Sequence, residues 1–118
     1  LPISNNNDPL IVIDNNPTPN SICQRILNES NNACYRECGS LGLKTILVLE
    51  GSADILIKKT KFRDWDLAPA MAFLEFLPGT IVNLRYESIP LGESIEFRDG
   101  LLVCCHKDVL EFVRSLFP

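Results

Sequence analysis

Asp66 follows Trp65 and precedes an apolar segment opening at Leu67. A carboxylate there caps a helix, for which Asp is among the best residues, or offers a hard oxygen to a metal cation. Both uses are compatible. Gly39-Ser40 opens another apolar segment. A helix starting there presents free N–H groups and a positive dipole end, suited to a phosphate, although an ordinary capped helix reads the same way. Lys44 lies one turn further on and points either to a phosphate or to solvent. Lys58 leads a group with Lys59 and Lys61, for which solvated charge is the ordinary reading. Trp65 reads as a packing residue. His106 reads as a surface residue, because no Ser or Cys nucleophile arrangement surrounds it.

The five cysteines, Cys23, Cys34, Cys38, Cys104 and Cys105, are odd in number and lack framework spacing, so reduced thiols and a cytoplasmic setting are expected. Cys34, Cys38, Cys104 and His106 contain no CxxC knuckle, which argues against zinc. The chain has 118 residues, 46% apolar and 22% charged, which suits one globular domain. A net charge of −4 and a pI near 4.9 give no basic field for nucleic acid or anionic lipid. No run of 18 apolar residues is present, so no membrane span is expected. Leu1-Pro2-Ile3-Ser4 has no signal-peptide character, and the absence of an initial Met suggests a piece of a longer chain.

These residues need elements to hold them. Residues 1–9 read as a flexible lead-in and 10–118 as a single domain. Leu10 to Ile13 is of strand length, ended by Asp14, Asn15, Asn16 and Pro17. Thr18-Pro19 starts a helix with Ile22, Ile26 and Leu27 as its apolar stripe, ended by Asn31 and Asn32. Tyr35 to Cys38 is a candidate short strand. Ser40 caps a helix running to about residue 50, apolar enough to be buried on most sides and stopped by Gly51. Asp54 to Lys58 reads as a strand and Leu67 to Leu77 as a third helix, ended by Pro78-Gly79. Thr80 to Arg85 and Leu101 to Cys105 read as strands, Leu91 to Gly100 as an internal loop, and Lys107 to Phe117 as a last amphipathic helix. The alternation predicts an α/β fold, a layered and mostly continuous sheet flanked by helices, with the helices at 41–50 and 67–77 largely buried.

Two stretches carry a resemblance. One is GSLGLKTILVLEGSADILI, Gly39 to Ile57; the other is DWDLAPAMAFLEFLPGTIVNL, Asp64 to Leu84. Together with Leu101-Leu102-Val103-Cys104 they resemble the C-terminal half of the inositol monophosphatase (sugar-phosphatase) fold. The likeness is to its 3′(2′),5′-bisphosphate nucleotidase branch, which carries a GSxGxK helix, an EGxAD turn and a WDxAAP helix. The matching positions are Gly39, Ser40, Gly42 and Lys44; Glu50, Gly51, Ala53 and Asp54; and Trp65, Asp66, Ala68 and Pro69. Departures are Asp14-Asn15-Asn16 where the family usually has Ser-Arg, Asp64 for Glu, and Pro78-Gly79 for Gly-Gly. The family's N-terminal Glu-Glu pair and Asp-Pro-x-Asp-Gly-Thr segment, which supply most metal ligands, do not occur in these residues.

The resemblance implies a Mg2+-dependent phosphatase domain acting on adenosine 3′,5′-bisphosphate, a small phosphorylated metabolite. Asp66 is then the catalytic residue and metal ligand, and Gly39, Ser40, Lys44 and Lys58 hold substrate. With the metal-binding domain absent, the isolated chain is expected to be inactive and to pair as a homodimer through its exposed domain interface. Two alternatives stay open: an inositol monophosphate or sugar-phosphate phosphatase domain, and a non-catalytic α/β relic serving as a binding or assembly module.

Overall fold

Side chains alternate across a strand with a period of two, and here that alternation divides the core into two halves. The computed structural model describes residues 10–14, 22–29, 33–35, 40–59, 61–63, 66–67, 70, 78–89 and 96–118. The strands are β1 (Leu10–Asp14), β2 (Ala33–Tyr35), β3 (Ile55–Lys58), β4 (Phe62–Arg63), β5 (Thr80–Val82), β6 (Glu96–Phe97) and β7 (Leu101–Cys104). The helices are α1 (Ile22–Glu29), α2 (Leu41–Leu49) and α3 (Lys107–Leu116). Five strands form one sheet in the order β2-β1-β3-β7-β5, and β4 pairs with β6 in a separate ribbon. β1 runs parallel to β2 and β3, whereas β7 runs antiparallel to β3 and β5.

Val12, Ile55, Ile57, Val82, Leu102 and Cys104 face one side of the sheet and meet Cys23 and Ile26 of α1 and Val109 and Val113 of α3. Ile13, Leu56, Leu101 and Val103 face the other side and meet Val48 and Leu49 of α2, with Phe62, Leu67 and Ala70. β3 and β7 are buried along their whole length. Strands covered on both faces read as unbroken apolar runs, which ILIK and LLVC nearly are. The result is the layered α/β fold that the alternation predicts.

Asp54 ties three strands together at one end of the sheet. Its backbone N–H donates to Ile11 O at 2.9 Å, and Ile11 N–H donates to its Oδ2 at 2.8 Å. Cys105 N–H donates to Asp54 O at 3.1 Å, and the Cys105 thiol donates to Asp54 Oδ1 at 3.6 Å. Burial, and then the neighbouring Asp54 carboxylate, push that thiol up to about 11, so it stays a protonated donor. The turn before it is equally determined. Gly51, at φ +92°, and Ser52 close α2 by donating to Val48 O and Leu47 O, the paired bonds of a Schellman motif.

Several expected boundaries move. The strand expected at Tyr35 to Cys38 lies at Ala33–Tyr35, with 36–38 outside the described residues. The strand expected at Thr80 to Arg85 stops at Val82, where Asn83 folds the chain back. Its Oδ1 accepts from Arg85 N and Glu87 N, at 2.8 and 3.0 Å, and Val82 bridges Ser88. Tyr86 sits in that turn at φ 65° and donates its hydroxyl to Phe117 O. The expected loop at 91–100 contains β6. Within α2, Lys44, Thr45, Val48 and Leu49 are the buried residues and Leu43 is 49% exposed. The helix lies on one sheet face, so one stripe is covered rather than most sides. The helix expected at 67–77 falls mainly outside the described residues, although Leu67 and Ala70 are buried.

Asp54→Ala removes an acceptor that serves the backbone of β1 and the first residue after β7. It is expected to lower stability by about 1.5–3 kcal/mol, the cost of losing hydrogen bonds to a charged group. Urea unfolding checks this; a midpoint unchanged from the parent chain would show that the clasp adds nothing.

Candidate functional site

Lys58 ends β3, and the strand period places it with Leu56 on the α2 side of the sheet. Its side chain is only 8% exposed. Gly100 lets the chain pass close to the backbone at this strand end: with φ at +77°, it lies where a Cβ would come within 2.8 Å of Lys58 O and 2.5 Å of the Leu84 side chain. Lys44, on the buried stripe of α2, is 5% exposed. Neither lysine is a solvated surface charge. That outcome corrects the ordinary reading of Lys58, and it removes the solvent-directed alternative for Lys44. Lys59 and Lys61 remain exposed.

Asp66 reaches this place through backbone contact. Its carbonyl lies 3.4 Å from where a Cβ on Gly42 would stand, so the 66–67 turn lies against the first turn of α2. Asp66 Oδ2 accepts from Arg63 N–H at 3.0 Å, which closes the turn between β4 and Asp66. An N-cap would instead accept from two or three residues ahead. Those are Ala68 and Pro69; Pro69 has no N–H, and both fall outside the described residues.

The three groups feel one another. Burial pulls the Lys58 ammonium below its ordinary range; the Asp66 carboxylate opposes that shift and the Lys44 charge adds to it. Ser40 Oγ accepts from Leu43 N–H at 3.3 Å and caps α2, so the first turn of that helix belongs to the same cluster. Of the residues singled out in the sequence, Lys44, Lys58 and Asp66 are therefore brought together, with Ser40 capping the helix that carries Lys44. Gly39 lies outside the described residues. Among the described residues no group of three His, Cys, Asp or Glu side chains could hold a metal ion.

Two features escaped the sequence reading. The β4–β6 ribbon, which leads from β3 towards Asp66, consists of two-residue strands too short to show a period. Its signal was the Lys61-Phe62-Arg63 alternation. A separate cavity of about 350 Å³ is lined by Glu87, Ser88, Phe97, Arg98 and Asp99, among others, and by none of the four clustered residues. No described helix is long and apolar enough to cross a membrane.

No family model matches the chain. It is 32% identical over 72 residues to the 3′(2′),5′-bisphosphate nucleotidase CysQ of Aggregatibacter actinomycetemcomitans, a stretch covering 61% of this chain and 27% of that protein. The inositol monophosphate-bound structure of SaIMPase-II matches with a TM-score of 0.65 at 25% identity, covering 93% of this chain and 44% of that one. An IMPase/NADP phosphatase complexed with Mg2+ and phosphate matches at 0.63 and 24%, covering 88% and 39%. The chain thus spans less than half the length of each of these relatives. A partial sequence match to one protein agrees with a fold match to others over most of the chain: the chain has the fold of part of these inositol monophosphatase structures and is similar in sequence to a stretch of the nucleotidase.

Proposed function

We propose that the chain is the substrate-holding domain of a magnesium-dependent phosphatase that removes the 3′-phosphate of adenosine 3′,5′-bisphosphate. One observation carries this reading: two nearly buried lysines, Lys44 and Lys58, share their electrostatic surroundings with Asp66 beside the first turn of α2. Burying ammonium groups is costly, and charges held together out of solvent are more often found at functional sites than kept for stability. The nucleotide substrate follows the CysQ relative's name. The inositol monophosphate bound to SaIMPase-II favours a second reading, a monophosphate of a polyol.

In this proposal Lys44 and Lys58 attract and orient the phosphoryl oxygens, aided by the positive end of α2. Asp66 supplies a hard carboxylate oxygen of the type magnesium prefers. Magnesium, when bound, polarises the phosphoryl group and activates water. The described residues offer it no group of three His, Cys, Asp or Glu ligands. The isolated chain is accordingly expected to bind magnesium weakly and to release no phosphate. The non-catalytic alternative makes binding and turnover two separate measurements.

Titrating adenosine 3′-monophosphate into the labelled chain with magnesium should shift the amide signals of Ser40 to Lys44, Lys58 and Asp66. Lys58→Met should weaken that binding about tenfold or more, given what a charge-assisted hydrogen bond is worth. Unmoved signals would overturn the reading. In a phosphate-release assay on adenosine 3′,5′-bisphosphate, turnover that vanishes in Asp66→Asn would disprove inactivity of the isolated chain.

Lys58 also gives a stability signature. A base whose folded pKa lies below its unfolded value costs stability while the folded form must carry the charge, and the cost fades as pH rises towards 10.5. Lys58→Met is therefore expected to be more stable than the parent at neutral pH, with the gap narrowing above pH 10 or so. Thermal melts at both pH values check this; a destabilised variant would show that the partners of Lys58 outweigh its desolvation.

A further inference from the structure

The turn from Asn83 to Glu87 is tied more heavily than a surface turn needs. Asn83 N–H donates to Glu87 O at 2.9 Å, and Tyr86 N–H donates to Asn83 O at 3.0 Å. The Asn83 side chain accepts from Arg85 N–H and Glu87 N–H and donates to Glu87 Oε1 at 2.9 Å. Within this turn Tyr86 takes φ 65°, a conformation that a bulky residue rarely adopts and keeps only where its surroundings impose it. Those surroundings are the end of α3. The Tyr86 hydroxyl donates to Phe117 O, and the Arg114 guanidinium lies 4.9 Å from the centroid of its ring. Phe117 in turn has the Arg25 guanidinium of α1 4.9 Å from its own ring centroid. The turn is thus anchored on both helices of that sheet face.

From the anchored turn, contacts run to the candidate site. Leu84 N–H donates to Asp99 O at 3.0 Å, and Arg85 Nη2 donates to Asp99 Oδ1 at 2.6 Å. The Leu84 side chain lies over Gly100, and Gly100 packs against the Lys58 carbonyl. Leu101, the next residue, pairs with Lys58 as the last rung of the β3–β7 ladder. The ends of a ladder are where local opening begins. This rung has a further reason to open, because Lys58 is 8% exposed and its ammonium would regain water by swinging out. We propose that Tyr86 is a positioning residue for Lys58: its hydroxyl, fixed on Phe117, keeps Leu84 on Gly100 and so holds the Lys58–Leu101 rung closed. Tyr86 touches no phosphate itself and acts through that rung. The consequence for binding rests on the phosphate site proposed above, whereas the coupling of Tyr86 to Lys58 is measurable without a ligand.

Tyr86→Phe removes the hydroxyl alone. In the ligand-free chain it should shift the amide signals of Gly100 and Lys58 as well as those of its own turn and of residues 114–117. Leu84→Ala, which leaves the hydroxyl bond in place, should shift the same two signals. Adenosine 3′-monophosphate, titrated with magnesium at a temperature where every variant is folded, should bind Tyr86→Phe about threefold more weakly, the worth of one hydrogen bond. That loss should vanish in a Lys58→Met background, since residues that act through one contact are not additive. A hydroxyl that only stabilises would lower the melting temperature while leaving affinity and the Gly100 and Lys58 signals unchanged, and that result would overturn the proposal. An equal loss of affinity with and without Lys58 would overturn it too. If the parent chain binds no adenosine 3′-monophosphate, the phosphate site falls, and the ligand-free signals alone decide whether Tyr86 sets Lys58.

Discussion

Everything in this domain docks on the antiparallel pairing of β3 with β7. Both strands are buried along their full length, with Ile55↔Cys104, Leu56↔Val103, Ile57↔Leu102 and Lys58↔Leu101 in register. A shift of one residue would exchange the two core faces, delivering Leu56 to α1 and α3 and Ile57 to α2. It would also move Lys58 away from Lys44 and Asp66. The register is held from outside the pair by Asp54, whose carboxylate and backbone grip Ile11 on one side and Cys105 on the other. Stability and site geometry thus depend on the same pairing.

The site pays for its chemistry in burial. A lysine at the end of a fully buried strand is a poor choice for stability, since a hydrophobe of similar length would avoid desolvating an ammonium. Gly100 shows the backbone accommodating the arrangement, since it lets the chain entering β7 pass close to the Lys58 carbonyl. The likeness to the inositol monophosphatase fold accounts for the overall arrangement of layers.

Long apolar runs were the most legible part of the sequence. Leu10 to Ile13 and Leu101 to Cys104 were readable as unbroken apolar runs, and the helices α1 and α3 because their burial follows a period of three to four. The candidate site was readable through motif resemblance rather than period, and the structure sets the charges of Lys44, Lys58 and Asp66 near one another. What escaped depended on tertiary context. Composition marks Leu43 as core and Lys44 as surface, yet the sheet takes the opposite side of the helix. The strand after Gly79 ends early because the buried Asn83 amide gathers the following N–H groups into a turn, which hydropathy does not register. Asp54 was visible only as part of a motif, since the backbone groups it bonds are 43 and 51 residues away.

The turn at Asn83 has one more consequence. β5 is the last strand in the sheet order, and an outermost strand offers unpaired backbone groups to any other extended chain. Here the polypeptide doubles back on itself: Asn83 N–H is committed to Glu87 O, and Val82 is bridged to Ser88. Leu84 N–H is committed to Asp99 O. Arg85 and Glu87 add charge beside that rim. The same fold-back that shortens β5 therefore blunts it as a template, guarding a strongly apolar sheet against strand-by-strand growth into aggregates.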